Sequence, residues 1–302
     1  MAPPACPLCS ASADRQSAVV SRVYGDDRRG VFHCSACDVR YLHPGLSAEE
    51  ERRFYAAEFE SFMAKRSAPG TGWEGPQDHI RGSEAQRLRR MSHLAPLLKP
   101  KSRVLEIGCS SGLMLYPLMD DGHDCIGIEP SGVFRDYVES RGIACFPGLD
   151  EMRAAGAEES GFDLILHYYV MEHIGDPIGM IREQLSLLRA GGRIVFEVPN
   201  ANDALTTIYQ IPAYAEFIWV VSHRWYFTEQ SLAYVMNKAG GKGEIRLDQR
   251  YDLSNHMVWA RDGKPGGMGR FTSILGEEIE NQYRQALIRA GRCDTLIGMV
   301  SN

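Results

Sequence analysis

The stretch that decides the fold is RVLEIGCSSG, residues 103–112, in which a short apolar run ends in a glycine-bearing turn. A strand, such a turn and then a helix are typical of a mostly parallel sheet covered by helices on both faces. Ligands of these sheets bind at the carboxyl ends of the strands, where glycines let the backbone approach them closely. The stretch therefore predicts the first strand of a doubly wound α/β domain and one wall of a ligand site.

Four more apolar runs alternate with helical segments further along the chain, as expected for the remaining parallel strands. They are DCIGIE (124–129), IACF (143–146), FDLILHYYV (162–170) and RIVFEV (193–198). A helix is predicted at 229–239, and two candidate strands at 244–250 and 256–260 would form an antiparallel edge. The tail from Ser273, including GRCDTLIGMV, predicts one more helix packed on the domain.

The glycine turn lacks the G-x-G-x-x-G pattern of a dinucleotide site. Counted from Gly108, Ser110 and Leu113 occupy the second and third glycine positions. Glu129 ends the second strand, 21 residues after Gly108, where a carboxylate can accept hydrogen bonds from both hydroxyls of a ribose. A nucleoside without a pyrophosphate therefore fits this edge better than a dinucleotide.

Two cysteine pairs lie near the N-terminus in the spacing C-x2-C-x24-C-x2-C. Each pair turns two thiolates toward one point, and two pairs complete a tetrahedral sulfur shell for zinc. Redox dithiols are the alternative, but thioredoxin-like motifs lie on a βαβ unit that this segment lacks. We therefore predict a zinc-ribbon-like module over residues 1–45, with structural zinc on Cys6, Cys9, Cys34 and Cys37.

Four motifs of the chain resemble those of class I S-adenosylmethionine-dependent methyltransferases. They are VLEIGCSSG (104–112), IGIEPS (126–131), FDLILHYYVMEHIGDP (162–177) and GGRIVFEVPN (191–200), in the order of that family. The resemblance implies a Rossmann-like methyltransferase sheet that binds S-adenosylmethionine. Together with the cysteine-bearing head, HRWYFTEQSL (223–232) resembles a subset with an N-terminal zinc module, which is often associated with sugar and surface-glycan biosynthesis.

The resemblance implies cofactor contacts for residues at the ends of the predicted strands. These residues are Glu106, Gly108, Ser110, Gly112, Glu129, Pro130, Asp150, His167 and Tyr168. The glycine loop would surround the methionine part of the cofactor, Glu129 would hold the ribose, and Asp150 would contact the adenine amino group. His167 and Tyr168 would lie beside the sulfonium, a cation that is stabilised by a nearby aromatic face.

Methyl transfer is an in-line displacement, so the protein must align the acceptor with the methyl group while excluding water. If the acceptor is a hydroxyl, a base must take its proton, and histidine is suited to that role near neutral pH. The candidate bases are His173 in VMEHIGDP and His223 in SHRWYFT, with Glu172 placed to orient one of them, while His256 is assigned to a predicted strand. The expected reaction is O-methylation of a sugar, a nucleotide sugar or a glycan precursor.

Three other functions stay open from the sequence. They are C- or N-methylation of a small metabolite, RNA methylation by a zinc-ribbon enzyme, and a non-catalytic zinc-headed binding protein. The 39 acidic and 33 basic residues give a net charge of −6, which argues against nucleic acid as a partner. Nucleotide-sugar C-methyltransferases carry a large additional C-terminal domain, whereas only 40 residues follow position 262 here.

The segments around the sheet are expected to cover the site. Residues 46–100 predict a helical connector or lid, capped by Ser47 and broken over 67–82. Its predicted aromatic face consists of Phe54, Tyr55, Phe59, Phe62 and Met63. The methyltransferase domain would span 101–262, followed by a helical extension at 263–302.

An apolar, aromatic cap insertion near residues 201–228 would cover a small-molecule acceptor or form a homodimer interface. No apolar run has the length of a membrane span, and MAPPACPLCS lacks the pattern of a targeting signal. The sequence therefore predicts a cytoplasmic protein without a membrane span.

Overall fold

The computed structural model describes residue 3 and residues 5–54, 59–66 and 75–302. Its N-terminal part is a small antiparallel sheet of β1 (Gln16–Val20), β2 (Gly30–Cys34) and β3 (Arg40–His43). Each cysteine pair lies in a tight turn beside this sheet. Ser10 and Asp38, the residues that follow the two pairs, adopt a left-handed conformation with φ of 62° and 60°. Their amides donate to the carbonyl oxygens of Cys6 and Cys34, at 2.9 and 2.8 Å, so both turns close in the same way.

The connector contains α1 (Ala48–Arg53), α2 (Phe59–Arg66), α3 (Pro76–Gly82) and α4 (Glu84–Leu94). The predicted cap of α1 is confirmed, because Ser47 and Glu50 exchange side-chain and backbone hydrogen bonds in a capping box. The break in helical structure that was predicted over residues 67–82 is wrong for its last part, residues 76–82. Pro76 in the first turn, with its fixed φ, starts α3, while residues 67–74 lie outside the described residues.

Only part of the predicted aromatic face can be located. The rings of Phe54 and Phe62 pack edge to face, with their centroids 5.3 Å apart. Tyr55 lies outside the described residues, and the side chains of Phe59 and Met63 are not among those described.

The central sheet has seven strands, and the predicted parallel strands are confirmed. In chain order the remaining strands are β4 (Arg103–Ile107), β5 (Asp124–Ile128), β6 (Ala144–Phe146), β7 (Phe162–Tyr168), β8 (Leu188–Pro199), β9 (Trp225–Tyr226), β10 (Lys242–Asp248) and β11 (Thr295–Ser301). The order across the central sheet is β10-β11-β8-β7-β4-β5-β6. Strands β4 to β8 are parallel, and β11 runs antiparallel between β8 and β10.

Helices cover both faces of this sheet. They are α5 (Leu115–Asp120), α6 (Gly132–Ser140), α7 (Leu149–Ala154), α8 (Pro177–Leu187), α9 (Ala204–Thr207), α10 (Pro212–Ile218), α11 (Glu229–Ala239), α12 (Leu253–Asp262), α13 (Thr272–Leu275) and α14 (Glu277–Arg289). On one face, apolar residues of α4, α5 and α6 pack on the strands. On the other, those of α8 and α11 share one cluster with cysteines of the N-terminal module. None of the described helices is both long and apolar enough to cross a membrane.

A helix in the tail is confirmed by α14, but two other predictions near the C-terminus are wrong. Residues 256–260 belong to α12, which begins where the Asp252 carboxylate accepts from the Asn255 amide. The last apolar run is β11 rather than a helix, and most of its residues are buried because neighbouring strands and both cores surround it. A short apolar run cannot be assigned to helix or strand by periodicity alone. Strand β11 is therefore the one that runs antiparallel to its neighbours, and β10 is the edge strand of the central sheet.

Candidate functional site

The four N-terminal cysteines converge on one point. The Sγ atoms of Cys6 and Cys37 are 3.8 Å apart, those of Cys9 and Cys34 are 3.6 Å apart, and all four lie within 4.8 Å of one another. Zinc–sulfur bonds of about 2.3 Å in a tetrahedron require sulfur atoms roughly 3.8 Å apart. Gln16 donates to Cys34 Sγ at 3.6 Å. The set therefore fits a closed, structural zinc site with an outer hydrogen bond.

The N-terminal module is joined to the rest of the chain by backbone pairing. Strand β9 pairs antiparallel with β3, which makes it the fourth strand of the small sheet. The Leu42 amide also donates to the Arg224 carbonyl at 3.0 Å. Since His223 immediately precedes this segment, the cysteine module fixes the backbone that carries one candidate base.

The glycine loop follows β4 at the carboxyl edge of the central sheet. Gly108 and Gly112 have φ of +71° and +72°, and Ser110 also has a positive φ of 48°. A Cβ at Gly108 would lie 2.7 Å from Val170 Cγ2, so both the conformation and the space require glycine there. The loop thus presents backbone rather than side chains at this edge.

Two carboxylates flank the loop. Glu106 is buried, and its Oε2 has no partner among the described residues; burial raises its pKa to about 8, with an opposing effect from Arg90. The Glu129 carboxylate, next to Pro130, accepts from the amides of Ser110 and Ser131, both at 2.8 Å. A buried carboxylate with one unpartnered oxygen fits a ligand ammonium at the base of the loop.

His79 is a site residue that the sequence analysis missed. Its Nδ1 lies 2.8 Å from the Ser111 hydroxyl of the loop, and its ring packs edge to face on Phe134. Burial lowers the pKa of His79 to about 4, so the ring is neutral. The residue fell within the predicted break, although Gly75-Pro76 at the helix start was a usable signal for α3.

The other predicted cofactor residues occupy different environments. Asp150 is exposed in the first turn of α7, 3.4 Å from Arg153. His167 is fully buried and stacks on Phe196 with the ring centroids 4.7 Å apart. The guanidinium carbon of Arg90 lies 4.0 Å from the centroid of the Tyr168 ring. The cofactor contacts of Asp150, His167 and Tyr168 stay predictions.

The two candidate bases lie side by side although 50 residues separate them in the sequence. The ring centroids of His173 and His223 are 4.9 Å apart. His173 lies in a short 3₁₀ turn, Met171–His173, just after β7. Its Nδ1 lies 2.7 Å from the Ser222 carbonyl oxygen, which can only accept, so this nitrogen carries the hydrogen.

Glu172 completes this cluster. One of its carboxylate oxygens and one nitrogen of each histidine lie within 4.8 Å of one another. Burial raises the pKa of Glu172 to about 8, lowers that of His173 to about 4 and lowers that of His223 well below its usual value. Among the described residues, both oxygens of Glu172 and Nδ1 of His223 have no hydrogen-bond partner. At neutral pH both imidazoles are therefore neutral, and His223 Nδ1 can accept a proton.

The predicted cap region contains α9 and α10 and packs beside the histidines. Tyr214 donates to the buried Asp203 carboxylate at 2.9 Å and packs edge to face on Trp259 of α12. Arg66, the last residue of α2, lies over the Phe217 ring at 4.4 Å, and its charge contributes to the low pKa of both histidines. Connector and cap thus meet where Arg66 contacts Phe217. His256 lies in α12, where its Nδ1 is 2.6 Å from the Tyr283 hydroxyl.

Comparison with known proteins agrees with this architecture. A family described as "Methyltransferase domain" matches residues 78–242, more than half of the chain. The ubiquinone biosynthesis O-methyltransferase of Cereibacter sphaeroides is 28% identical over 174 residues, covering 55% of this chain and 69% of its own. The Roseobacter denitrificans enzyme of the same name is 28% identical over 166 residues, covering 52% and 66%.

A solved structure has the same fold. The plantazolicin methyltransferase BpumL, solved in complex with SAH, superposes with a TM-score of 0.50 at 13% identity, covering 83% of this chain and 94% of its own. The family match, together with the doubly wound sheet and the glycine loop, defines the class of protein. The chain belongs to the methyltransferase-domain family and is an S-adenosylmethionine-dependent methyltransferase.

Proposed function

We propose that this enzyme transfers a methyl group from S-adenosylmethionine to a hydroxyl oxygen of a small molecule. The observation that carries the proposal is the histidine pair beside Glu172, which gives the site a base that can take the proton of the acceptor hydroxyl. The relatives that are named O-methyltransferases support the choice of oxygen.

The chain's own residues then have separate tasks. Glu106 would bind the ammonium group of the cofactor, the glycine loop would accommodate its methionine part, and Glu129 would accept from the ribose hydroxyls. When bound, S-adenosylmethionine supplies a methyl group whose bond to sulfur breaks as its bond to the acceptor oxygen forms. His223 takes the hydroxyl proton on Nδ1 as that bond forms, and His173, held by the Ser222 carbonyl, fixes the neighbouring ring.

His223 is the base in this proposal rather than His173. We choose His223 because its Nδ1 has no hydrogen-bond partner among the described residues, whereas the bond from Nδ1 of His173 to the Ser222 carbonyl holds that ring in position and suits it to orienting His223. A sugar, a nucleotide sugar or a glycan precursor as the acceptor stays a prediction, as do the homodimer, the cytoplasmic location and the domain boundaries at residues 45, 100 and 262. The relatives are named for ubiquinone biosynthesis, so an intermediate of that synthesis is a second candidate acceptor.

The atom that is methylated can be identified without knowing the acceptor. We expect the enzyme, incubated with ¹³C-methyl S-adenosylmethionine and a small-molecule extract of its source cells, to form a labelled methoxy carbon detectable by NMR. The ¹³C chemical shift separates methoxy from N-methyl and C-methyl products. A labelled N-methyl or C-methyl signal without a methoxy signal would contradict the proposal.

We also propose that Cys6, Cys9, Cys34 and Cys37 hold one structural zinc ion. The sulfur–sulfur distances, the absence of disulfides among the eight cysteines and the hydrogen bond from Gln16 support this assignment. Four thiolates leave no coordination position for water, so the metal would stabilise the module without taking part in methyl transfer.

Zinc content and stability test this assignment. Cys37→Ser is expected to remove the zinc found in the wild-type protein by elemental analysis and to lower its Tm, because metal binding and folding of such modules are coupled. Cys125→Ser, the same change at a buried cysteine of β5, serves as the control and should keep the zinc. Wild-type protein purified without chelators that contains no zinc would contradict the assignment.

A further inference from the structure

Arg250 follows β10 at the carboxyl edge of the central sheet, between two aromatic rings. Its guanidinium carbon lies 4.4 Å from the centroid of the Tyr169 ring and 4.7 Å from that of Tyr251. One terminal nitrogen donates to the Tyr251 hydroxyl at 2.9 Å, whereas the Nε is shielded from solvent and has no partner among the described residues. The rings hold the planar group in a fixed orientation.

No carboxylate forms an ion pair with this guanidinium among the residues that the structure describes. Asp294 is near, but its oxygens accept from the backbone amides of Arg250 and Tyr251 and from the Gln249 side chain. Glu197 is bound by Arg89 and Arg90 instead. The charges of Asp294 and Glu197 stabilise the charged form of Arg250, but neither carboxylate forms an ion pair with its guanidinium, so this partly buried group can still bind an anion directly.

Arg250 is close to the proposed base cluster. Tyr169, whose ring it covers, comes just after β7 and three residues before Glu172. Tyr169 is held with a positive φ of 58°, and its hydroxyl bonds to Thr295 Oγ1 at 2.9 Å, so its position is fixed. The charge of Arg250 also acts on Glu172, whose burial-raised pKa it lowers in part.

We infer that the acceptor carries an oxyanion, either a carboxylate or a phosphate, that binds Arg250 while its hydroxyl faces His223. The inference rests on the proposed function and adds the charge of the substrate to it. A planar guanidinium binds both groups through two parallel hydrogen bonds, and the Nε and one terminal nitrogen form the required fork. Arg250 is thus a specificity-determining residue for the methyl transfer.

The test uses the purified full-length enzyme, tritiated-methyl S-adenosylmethionine and the small-molecule extract. The labelled product is passed over a strong anion exchanger at neutral pH, and we expect it to be retained. Arg250→Gln should lower the rate of label transfer at least tenfold, with Arg250→Lys in between, while S-adenosylhomocysteine affinity stays unchanged and confirms the fold. Arg246→Gln, a change at an exposed arginine of β10, is the matched control and should transfer label normally.

The outcomes separate this inference from the proposed function. Labelled product that passes through the exchanger, or normal transfer by Arg250→Gln, would overturn the inference and leave methyl transfer intact. No label in any fraction would overturn the proposed function and the inference with it. Phosphatase treatment of the extract distinguishes the two sources of the anion: loss of the retained label identifies a phosphate, and its persistence identifies a carboxylate.

Discussion

Replacing His223 by alanine is expected to lower kcat by about 10²–10⁴-fold, the usual contribution of a general base. The Nδ1 of His223 has no partner among the described residues and lies in the cluster with Glu172 and His173. The pKa of Glu172 is raised to about 8, so at neutral pH its protonated carboxyl cannot take over the proton. Rates of methyl transfer to the purified acceptor, measured at saturating cofactor, give the effect directly.

The pH dependence of kcat separates a base from a merely structural residue. Burial raises the pKa of Glu172 to about 8, so its carboxyl is protonated below that pH and ionised above it. An ionised carboxylate favours a protonated neighbouring imidazole and makes His223 a stronger base, so wild-type kcat should rise through about pH 8. This rise should be absent in His223→Ala.

His123→Ala controls for the loss of a ring elsewhere. This histidine accepts from the Ser102 amide beside the start of β4 and should change kcat little. A His223→Ala enzyme that keeps wild-type kcat and the same pH profile would remove His223 from the chemistry and return attention to His173.

The parts of the fold that local sequence determines were predictable. The strand and turn at 103–112, the parallel strands around them and the paired cysteines depend on neighbouring residues, and the structure confirms them as elements. Strand β11 was not predictable in this way. Its apolar run is consistent with a helix or a buried strand, and only its insertion between β8 and β10 decides between them.

The candidate site shows the same division. His173 and His223 could be named from their motifs, but their 4.9 Å separation depends on contacts between distant segments, such as the bond from the Arg224 amide to the Glu172 carbonyl at 2.8 Å. The sequence around Arg250 did not indicate a binding role, since a charged residue near a strand end is ordinarily exposed. Its unusual feature, a guanidinium without an ion pair, exists only after the surrounding carboxylates have found other partners.

Glu129→Ala is expected to weaken S-adenosylhomocysteine binding by at least tenfold. The carboxylate accepts from the amides of Ser110 and Ser131 in this structure, so it shapes the glycine loop in addition to its proposed contact with the ribose. Hydrogen bonds to a charged group contribute about 1.5–3 kcal/mol each, and every 1.4 kcal/mol is roughly a factor of ten in affinity. Glu139→Ala, an exposed glutamate at the end of α6, is the matched control and should bind as the wild type does.

Calorimetric titration of S-adenosylhomocysteine into the purified protein tests the central claim most directly, with NAD titrated separately as the dinucleotide comparison. We expect micromolar binding of S-adenosylhomocysteine by the wild type and by Glu139→Ala, weaker binding by Glu129→Ala and no binding of NAD. A folded wild-type protein that binds NAD but not S-adenosylhomocysteine would contradict the account.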